Sequence, residues 1–444
     1  LNPEPRPSGY LQLFKTKDFS MLWLASVAMA ASIMAVEATV TWGTWESTGS
    51  ATAVGILISA ISLPRIILET LVGRVVDAFD RKKLMILAAL GASLVSLALT
   101  LLTRESNGST LFATVSFTWM LTVFNMLFHR ARSSLLPRLI SEHSILVSAQ
   151  ALLHITVSGM SVLSGGAALL IPVIGRVSIM AAGAAMAIAA ALAAGQISHS
   201  DQGRSGVKAI RPSFGFRNLL GDPLDIVKSN RFLAWFIVFV ALTNIPHRAM
   251  LAMVLPISAE KTGLGAQGYG AIQIALSIGV IAGCLVAGRL LSRGNPVLWV
   301  ILGIGFSALF AGLIALLSGT LTIVALFVAY GLVEGFFIPG FAKFDLEIPD
   351  DLRGRVNSLF NIAGLLLSPV AQIGGGMVSD RFGPSTLYGW SGLALFVVAL
   401  VAVAFAPSGT FRRRDPGSRR IGKLVHVVHH CDPCESSKPG NRCT

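Results

Sequence analysis

The chain has 444 residues, 53% of them hydrophobic and only 13% charged, with a mean hydropathy of +0.71. Soluble chains carry roughly 25% charged residues. An apolar excess spread over nearly the whole length excludes a disordered chain, a disulfide scaffold and an ordinary cytosolic enzyme. The net charge of +13 does not mark a nucleic-acid binder, because the cations sit in short segments between apolar runs.

What remains is an all-α integral membrane protein, since a β-barrel alternates apolar and polar residues in segments of about ten. In chain order, twelve apolar runs are long enough to cross the bilayer at 1.5 Å per residue. The first six are predicted at 19–44, 51–73, 84–103, 110–129, 146–170 and 172–197. The others are predicted at 232–256, 268–291, 296–318, 320–343, 356–379 and 383–406. Pro172 and Gly175 read as the turn between the fifth and sixth. The first run is too long for a signal peptide and lacks a small-residue cleavage site. Because the chain begins with Leu1, it reads as trimmed or as starting from a non-standard codon.

Orientation follows from the cations. All but six of the 35 Lys and Arg fall on one side of this topology. Arg104, Arg176, Lys261 and Arg381 lie opposite, and Arg65 and Arg248 lie inside spans. The positive-inside bias places both termini in the cytoplasm. The predicted organisation is a six-helix half (1–197), a Gly/Ser/basic cytoplasmic linker (198–231), a second six-helix half (232–407) and a basic tail (408–444). Weak repetition supports equivalent halves: Leu139-Ile140-Ser141-Glu142 and Glu347-Ile348-Pro349-Asp350 precede the fifth and eleventh spans. Gly165-Gly166 and Gly374-Gly375-Gly376 then fall in matching regions of them. Repeats of this kind are a common build of secondary transporters, with substrate handled between the halves.

The most specific motif, between spans two and three, is Gly73-Arg74-Val75-Val76-Asp77-Ala78-Phe79-Asp80-Arg81-Lys82-Lys83. An acid and a basic cluster at the cytoplasmic mouth can make or break ion pairs as two halves rock. A plain loop held by positive-inside charge is the other reading. Gly73, Asp77, Arg81 and Lys82 match the signature loop of the major facilitator superfamily, which this sequence resembles. It departs from that pattern at Asp80, where Gly is usual, and at Ala78, where Arg is usual. The Asp-Arg pair is similar to the branch of bacterial macrolide and enterobactin-type siderophore exporters. Thr48-Gly49-Ser50, Leu63-Pro64-Arg65, Arg132-Ser133-Ser134-Leu135-Leu136-Pro137 and Ile348-Pro349-Asp350-Asp351-Leu352-Arg353-Gly354-Arg355-Val356 resemble the same branch, over about residues 10–407. The antiporter-type Gly-Pro motif of span five is reduced to Gly159, Gly165 and Gly166. The resemblance implies a proton-driven exporter of a hydrophobic or amphipathic small molecule, multi-pass in the inner (cytoplasmic) membrane.

Ionisable residues at membrane depth are costly and mark function. Glu37 in span one reads as a proton site or as a vestibule residue. Arg65 and Glu69, four apart on span two, share a face and read as an intramembrane ion pair holding spans together, or as a substrate- or proton-linked pair at the central cavity. Glu334 lies mid-span in Tyr330-Gly331-Leu332-Val333-Glu334-Gly335. Its flanking glycines are expected to open space beside it, and no cation lies within four residues. A low dielectric favours a neutral carboxyl, so Glu334 is the first candidate for proton coupling and Glu37 the second; an interhelical hydrogen bond is the alternative. In Asn244-Ile245-Pro246-His247-Arg248, the proline invites a helix break. Arg248 would then hold an anionic group or a carboxylate, or snorkel to the interface. His154 reads as a core histidine.

Cys431, Cys434 and Cys443 with His429 and His430 are a weak zinc candidate in the tail; a disordered basic tail is the simpler reading, and no cofactor is expected. Neither a phosphate-binding Gly-x-x-x-x-Gly-Lys-Ser/Thr loop nor a hydrolase motif is present, so no enzyme chemistry is expected. The expected partners are a small-molecule substrate, protons and the lipid bilayer, with the protein a monomer. An importer or facilitator on the same scaffold, and a membrane sensor or assembly protein, are the alternatives.

Overall fold

The structure is a computed structural model. It describes residues 13–68, 72, 75, 76, 78–105, 111–140, 145, 146, 149, 150, 152, 153, 156, 159–198, 227, 229–291, 295–348 and 353–406. The helices are α1 (Lys17–Thr48), α2 (Ala51–Ile67), α3 (Arg81–Glu105), α4 (Leu111–Leu139), α5 (Ser161–Ile174) and α6 (Arg176–Gly195). There follow α7a (Arg231–Ala252), α7b (Val254–Thr262), α8 (Gly265–Leu291), α9 (Pro296–Leu316) and α10a (Thr320–Glu334). The last are α10b (Ile338–Glu347), α11a (Arg353–Leu365), α11b (Ser368–Phe382) and α12 (Pro384–Ala404). Among the described residues, ten helices are long and apolar enough to cross a membrane, and α2 and α5 are apolar but shorter. The count of twelve spans is therefore met only to that extent.

Local signals set the helix ends. Asn230, Asn295, Ser50 and Asp80 each accept a bond from a first-turn backbone N–H of α7a, α9, α2 and α3, satisfying donors that the helix leaves orphaned. Gly49 ends α1 at φ 60°, a left-handed conformation open to glycine without steric cost.

Three helices break, and prolines explain where. A proline ring clashes with the carbonyl four residues earlier and cannot donate to it. Pro256 acts in this way on Ala252, where α7a ends; Pro369 acts on Leu365, where α11a ends; Pro339 acts on Gly335, where a 3₁₀ turn Gly335–Phe337 divides α10. The break expected at Pro246 does not occur there, for α7a runs through it. Likewise α5 continues through Pro172, and the turn rests on Gly175 alone at φ 81°.

In the first half α1 and α3 both pack against α6 and α3 against α4, whereas α2 and α5 pack chiefly on helices of the second half; in that half α8 packs on α10a and α9 on α12. Two buried apolar cores result, one drawn from residues 13–197 and one mostly from residues after 227. Two substantial crossings join the bundles, α2 with α11b and α5 with α8. Both lie toward the end of the molecule that holds the α1–α2 and α11–α12 turns, called the far end here. Lys17 and Ala404, where α1 begins and α12 ends, lie at the opposite, near end.

Candidate functional site

A cavity of about 320 Å³ lies between the bundles, just below the two crossings. Helical spacing builds its walls. Met34, Glu37, Ala38 and Thr41 line one face of α1, and Ile58, Ile61 and Arg65 one face of α2, both at intervals of three and four. Across the space, α8 contributes Tyr269 and Gln273, one turn apart and bonded to each other, Gln273 Nε2 donating to the Tyr269 hydroxyl over 3.1 Å. Ser164 of α5 and Leu251, Ala252, Val254 and Leu255, at the α7 break, complete the wall. The break matters here, because it lets residues on both sides of it face one space.

Two opposite charges face this cavity. Glu37 and Arg65 lie within electrostatic reach of each other. Yet among the described residues neither side chain makes an ion pair or a hydrogen bond. Arg65 is exposed although it sits inside the bundle, so solvent reaches it through the cavity. An unmade pairing inside a membrane protein is costly, and it leaves both groups free for a ligand or a proton.

A second cluster adjoins on the α7a–α10a side. The His247 Nδ1 lies 2.7 Å from the Tyr330 hydroxyl and 3.6 Å from Glu334 Oε1. Tyr330 and Glu334 are one turn apart, which brings both to the same histidine. The 3.6 Å contact is too long for a hydrogen bond, and Glu334 Oε1 and Arg248 Nε are both buried without a hydrogen-bond partner. Arg248 lies within electrostatic reach of Glu334 and of Arg65. Charges thus run in sequence from Glu37 through Arg65 and Arg248 to Glu334, from one bundle to the other.

Several expectations change. Glu334 has no cation near it in sequence, but the fold supplies Arg248, together with the imidazole of His247, from another helix. The glycines beside it do not open space: a Cβ on Gly331 or Gly335 would strike the α8 backbone at Leu276 or Gly283. They serve close helix packing. Arg248 is half-buried and within electrostatic reach of Glu334. Lys82 donates to the Ile197 carbonyl over 2.5 Å, tying α3 to the end of α6 inside one bundle. Arg81 opens α3. Glu69, Gly73, Asp77, His154 and the tail residues His429, His430, Cys431, Cys434 and Cys443 lie outside the described residues.

Sequence reasoning missed Tyr269, Gln273 and, at the far end, Asp380. The Asp380 carboxylate accepts from Ser50 Oγ (2.7 Å), Ala51 N (2.6 Å) and Thr52 N (2.9 Å), at the start of α2. One signal was legible. An aspartate in the last turn of its own helix opposes that helix's dipole, and so calls for a partner elsewhere.

The sequence matches the profile of the Major Facilitator Superfamily over residues 22–371. No curated protein matches it in sequence. Among solved structures it is similar to a mutant form of the nucleoside transporter NupG, at 15% identity and a TM-score of 0.72, covering 88% of this chain and 100% of that one. A bacterial homologue of the iron transporter ferroportin, in an inward-facing state, aligns at 16% identity and a TM-score of 0.66, covering 89% and 99%. A POT family transporter in complex with a thioalcohol-conjugated peptide aligns at 13% identity and a TM-score of 0.64, covering 88% and 96%. At these identities the likeness is one of fold.

Proposed function

We propose that this chain, which belongs to the major facilitator superfamily, is a proton-driven exporter that moves a hydrophobic or amphipathic small molecule across the cytoplasmic membrane by alternating access. Membership makes it a membrane transporter rather than an enzyme; direction, cargo and coupling are the proposal. The observation that carries it is the cavity between the bundles, with Glu37 and Arg65 both facing it and unpaired among the described residues. Its walls are otherwise largely apolar, which suits a cargo with a polar head and an apolar body, of the drug, macrolide or siderophore type. A volume of about 320 Å³ is at the small end of roughly 300–1,000 Å³ for ligand sites. It fits a small cargo whole, or the head of a larger one.

The near end, which carries most of the basic residues among those described, is assigned to the cytoplasm. With the far end closed by two crossings, the structure then corresponds to a cytoplasm-facing stage of the cycle. Coupling is assigned to Glu334 and Glu37. Each can exchange a proton as access alternates, and each stands beside an arginine whose charge it balances only when ionised. Occupancy by cargo or proton then biases the same two-state equilibrium. The loop residues Gly73, Asp77, Arg81 and Lys82 are assigned to conformational switching. The protein is assigned as a monomer.

The test is transport in everted vesicles and in liposomes with internal and external pH set independently, using a panel of drug-, macrolide- and siderophore-type compounds. Glu334→Gln is expected to lose gradient-driven accumulation while downhill flux survives. Wild-type accumulation with unchanged pH dependence would make Glu334 structural and leave coupling to Glu37. Accumulation in the opposite direction would identify an importer, and downhill flux alone a facilitator.

A further inference from the structure

At the far-end crossing of α2 with α11b, among the described residues, the charged side chain of Asp380 bonds across the two bundles. Asp380 spans from α11b to the first turn of α2, where the Ser50 hydroxyl and the Ala51 and Thr52 backbone N–H groups all donate to its two oxygens. Ser50 is at the same time the N-cap of α2, accepting from Ala53 N over 3.2 Å. One carboxylate therefore closes both the interface and the helix start. The anion sits at the positive end of the α2 dipole and near the negative end of its own helix, which finishes at Phe382. Its electrostatic gain thus depends on the two bundles being together. Separated, Asp380 faces the unfavourable end of α11b alone.

The backbones approach closely enough for this contact to form. A Cβ added to Gly376 would lie 2.6 Å from the Ala51 carbonyl oxygen, and one added to Gly55 would lie 2.5 Å from the Gln372 carbonyl oxygen. Further in along α2, Ser62 and Gln372 bond each other at 3.2 Å. Asp380 is exposed to the far-side solvent, so water can take over its three bonds when the bundles part. A contact made of charge-assisted bonds with ready access to water is strong when closed and cheap to break.

We infer that Asp380 is a positioning residue of transport: it latches the far-end gate by holding the first turn of α2, and its release accompanies opening of the cavity to the far side. The inference rests on the geometry of the closed end. It stands whichever side of the membrane that end faces and whatever the cargo.

The test uses the full-length chain with its four cysteines replaced and a reporter thiol at Gln273→Cys, which lines the cavity. A membrane-impermeant maleimide is applied in separate experiments from the near and the far side of oriented vesicles. Asp380→Ala and the isosteric Asp380→Asn should raise the ratio of far-side to near-side labelling rates by at least roughly tenfold, the effect of losing about one charge-assisted bond or more. Asp380→Glu, which keeps the charge, should restore much of the original ratio. General loosening would raise both rates together and leave their ratio unmoved, and that result overturns the inference. So does an unchanged ratio in Asp380→Asn, or failure of Asp380→Glu to restore it. If Asp380→Ala does not fold, the Asn and Glu variants decide the matter.

Discussion

The two crossings that close the far end are built from different chemistry. Where α5 meets α8, glycine lies on glycine: a Cβ on Gly165 would be 2.6 Å from the Gly270 carbonyl oxygen, and the converse distance is also 2.6 Å. The α5 helix has no charged residue, so that seam is held by van der Waals contact of backbones. Where α2 meets α11b, the same close approach at Gly55 and Gly376 is capped by the Asp380 bonds. A dry glycine seam depends on shape, and so tolerates no added atom. A latched seam depends on charge, and can be opened by water without any change of shape. The pair shows how a gate can fit tightly and still be released.

The largest effect is expected from breaking the dry seam. Gly165→Val or Gly270→Val places side-chain atoms inside the facing backbone, and overpacking of this kind costs about 1–3 kcal/mol or more. Transport should fall by at least roughly tenfold, since 1.4 kcal/mol of lost closure is a tenfold shift. Cysteine cross-linking between α5 and α8 in the closed state should fall in parallel. Full flux with normal cross-linking would show that the seam does not limit closure.

A smaller effect is expected at the latch when only one of its three bonds is removed. Ser50→Ala leaves the two backbone donors to Asp380 and should raise the far-side to near-side labelling ratio by a few-fold, less than Asp380→Asn, because at this exposed site water takes the place of the lost hydroxyl on the carboxylate. An effect as large as that of Asp380→Asn would mean that the capping of α2, not the carboxylate, closes the gate. The smallest effect is expected from a bond that joins helices inside one bundle. Lys82→Ala removes the contact with the Ile197 carbonyl and should lower stability by about 0.5–1.5 kcal/mol, read from thermal unfolding in detergent, and, as its assigned switching role requires, should shift the labelling ratio by less than Ser50→Ala does. An unmoved ratio would leave Lys82 a tie of α3 to α6 alone and count against a switching role for the Arg81-Lys82 end of the loop.

Part of the candidate site is legible in the amino-acid sequence. Glu37, Arg65, Arg248 and Glu334 stand out because ionisable groups are rare in apolar helices; Glu37 and Arg65 line the cavity between the bundles, and Arg248 and Glu334 lie in the adjoining cluster. Their partners are not legible there. Arg65 has Glu69 four residues further along, outside the described residues; among those described, Glu37 on α1 and Arg248 on α7a come within its reach. Glu334 has no cation nearby in sequence and meets His247, 87 positions away. Asp380, which sequence reasoning missed, reaches Ser50, 330 positions away. In a helix, sequence spacing reports only which residues share a face. Which face meets which neighbour depends on how the helices pack.

The sequence by itself determined the membrane class, the helical content, the apolar stretches and the caps that start α2, α3, α7a and α9. Each of these follows from hydropathy or from contacts within a few residues along the chain. It also contains the prolines, but not which of them break a helix: Pro246 and Pro172 are accommodated, whereas Pro256, Pro339 and Pro369 are not. Tertiary structure decided that, because a lost helical bond and a displaced carbonyl survive only where neighbouring helices leave room. It also decided the unpaired charges of the cavity and the latch at Asp380. These depend on distances between helices remote in sequence, set by the close approach of backbones at glycine, where a single Cβ would hold the bundles apart.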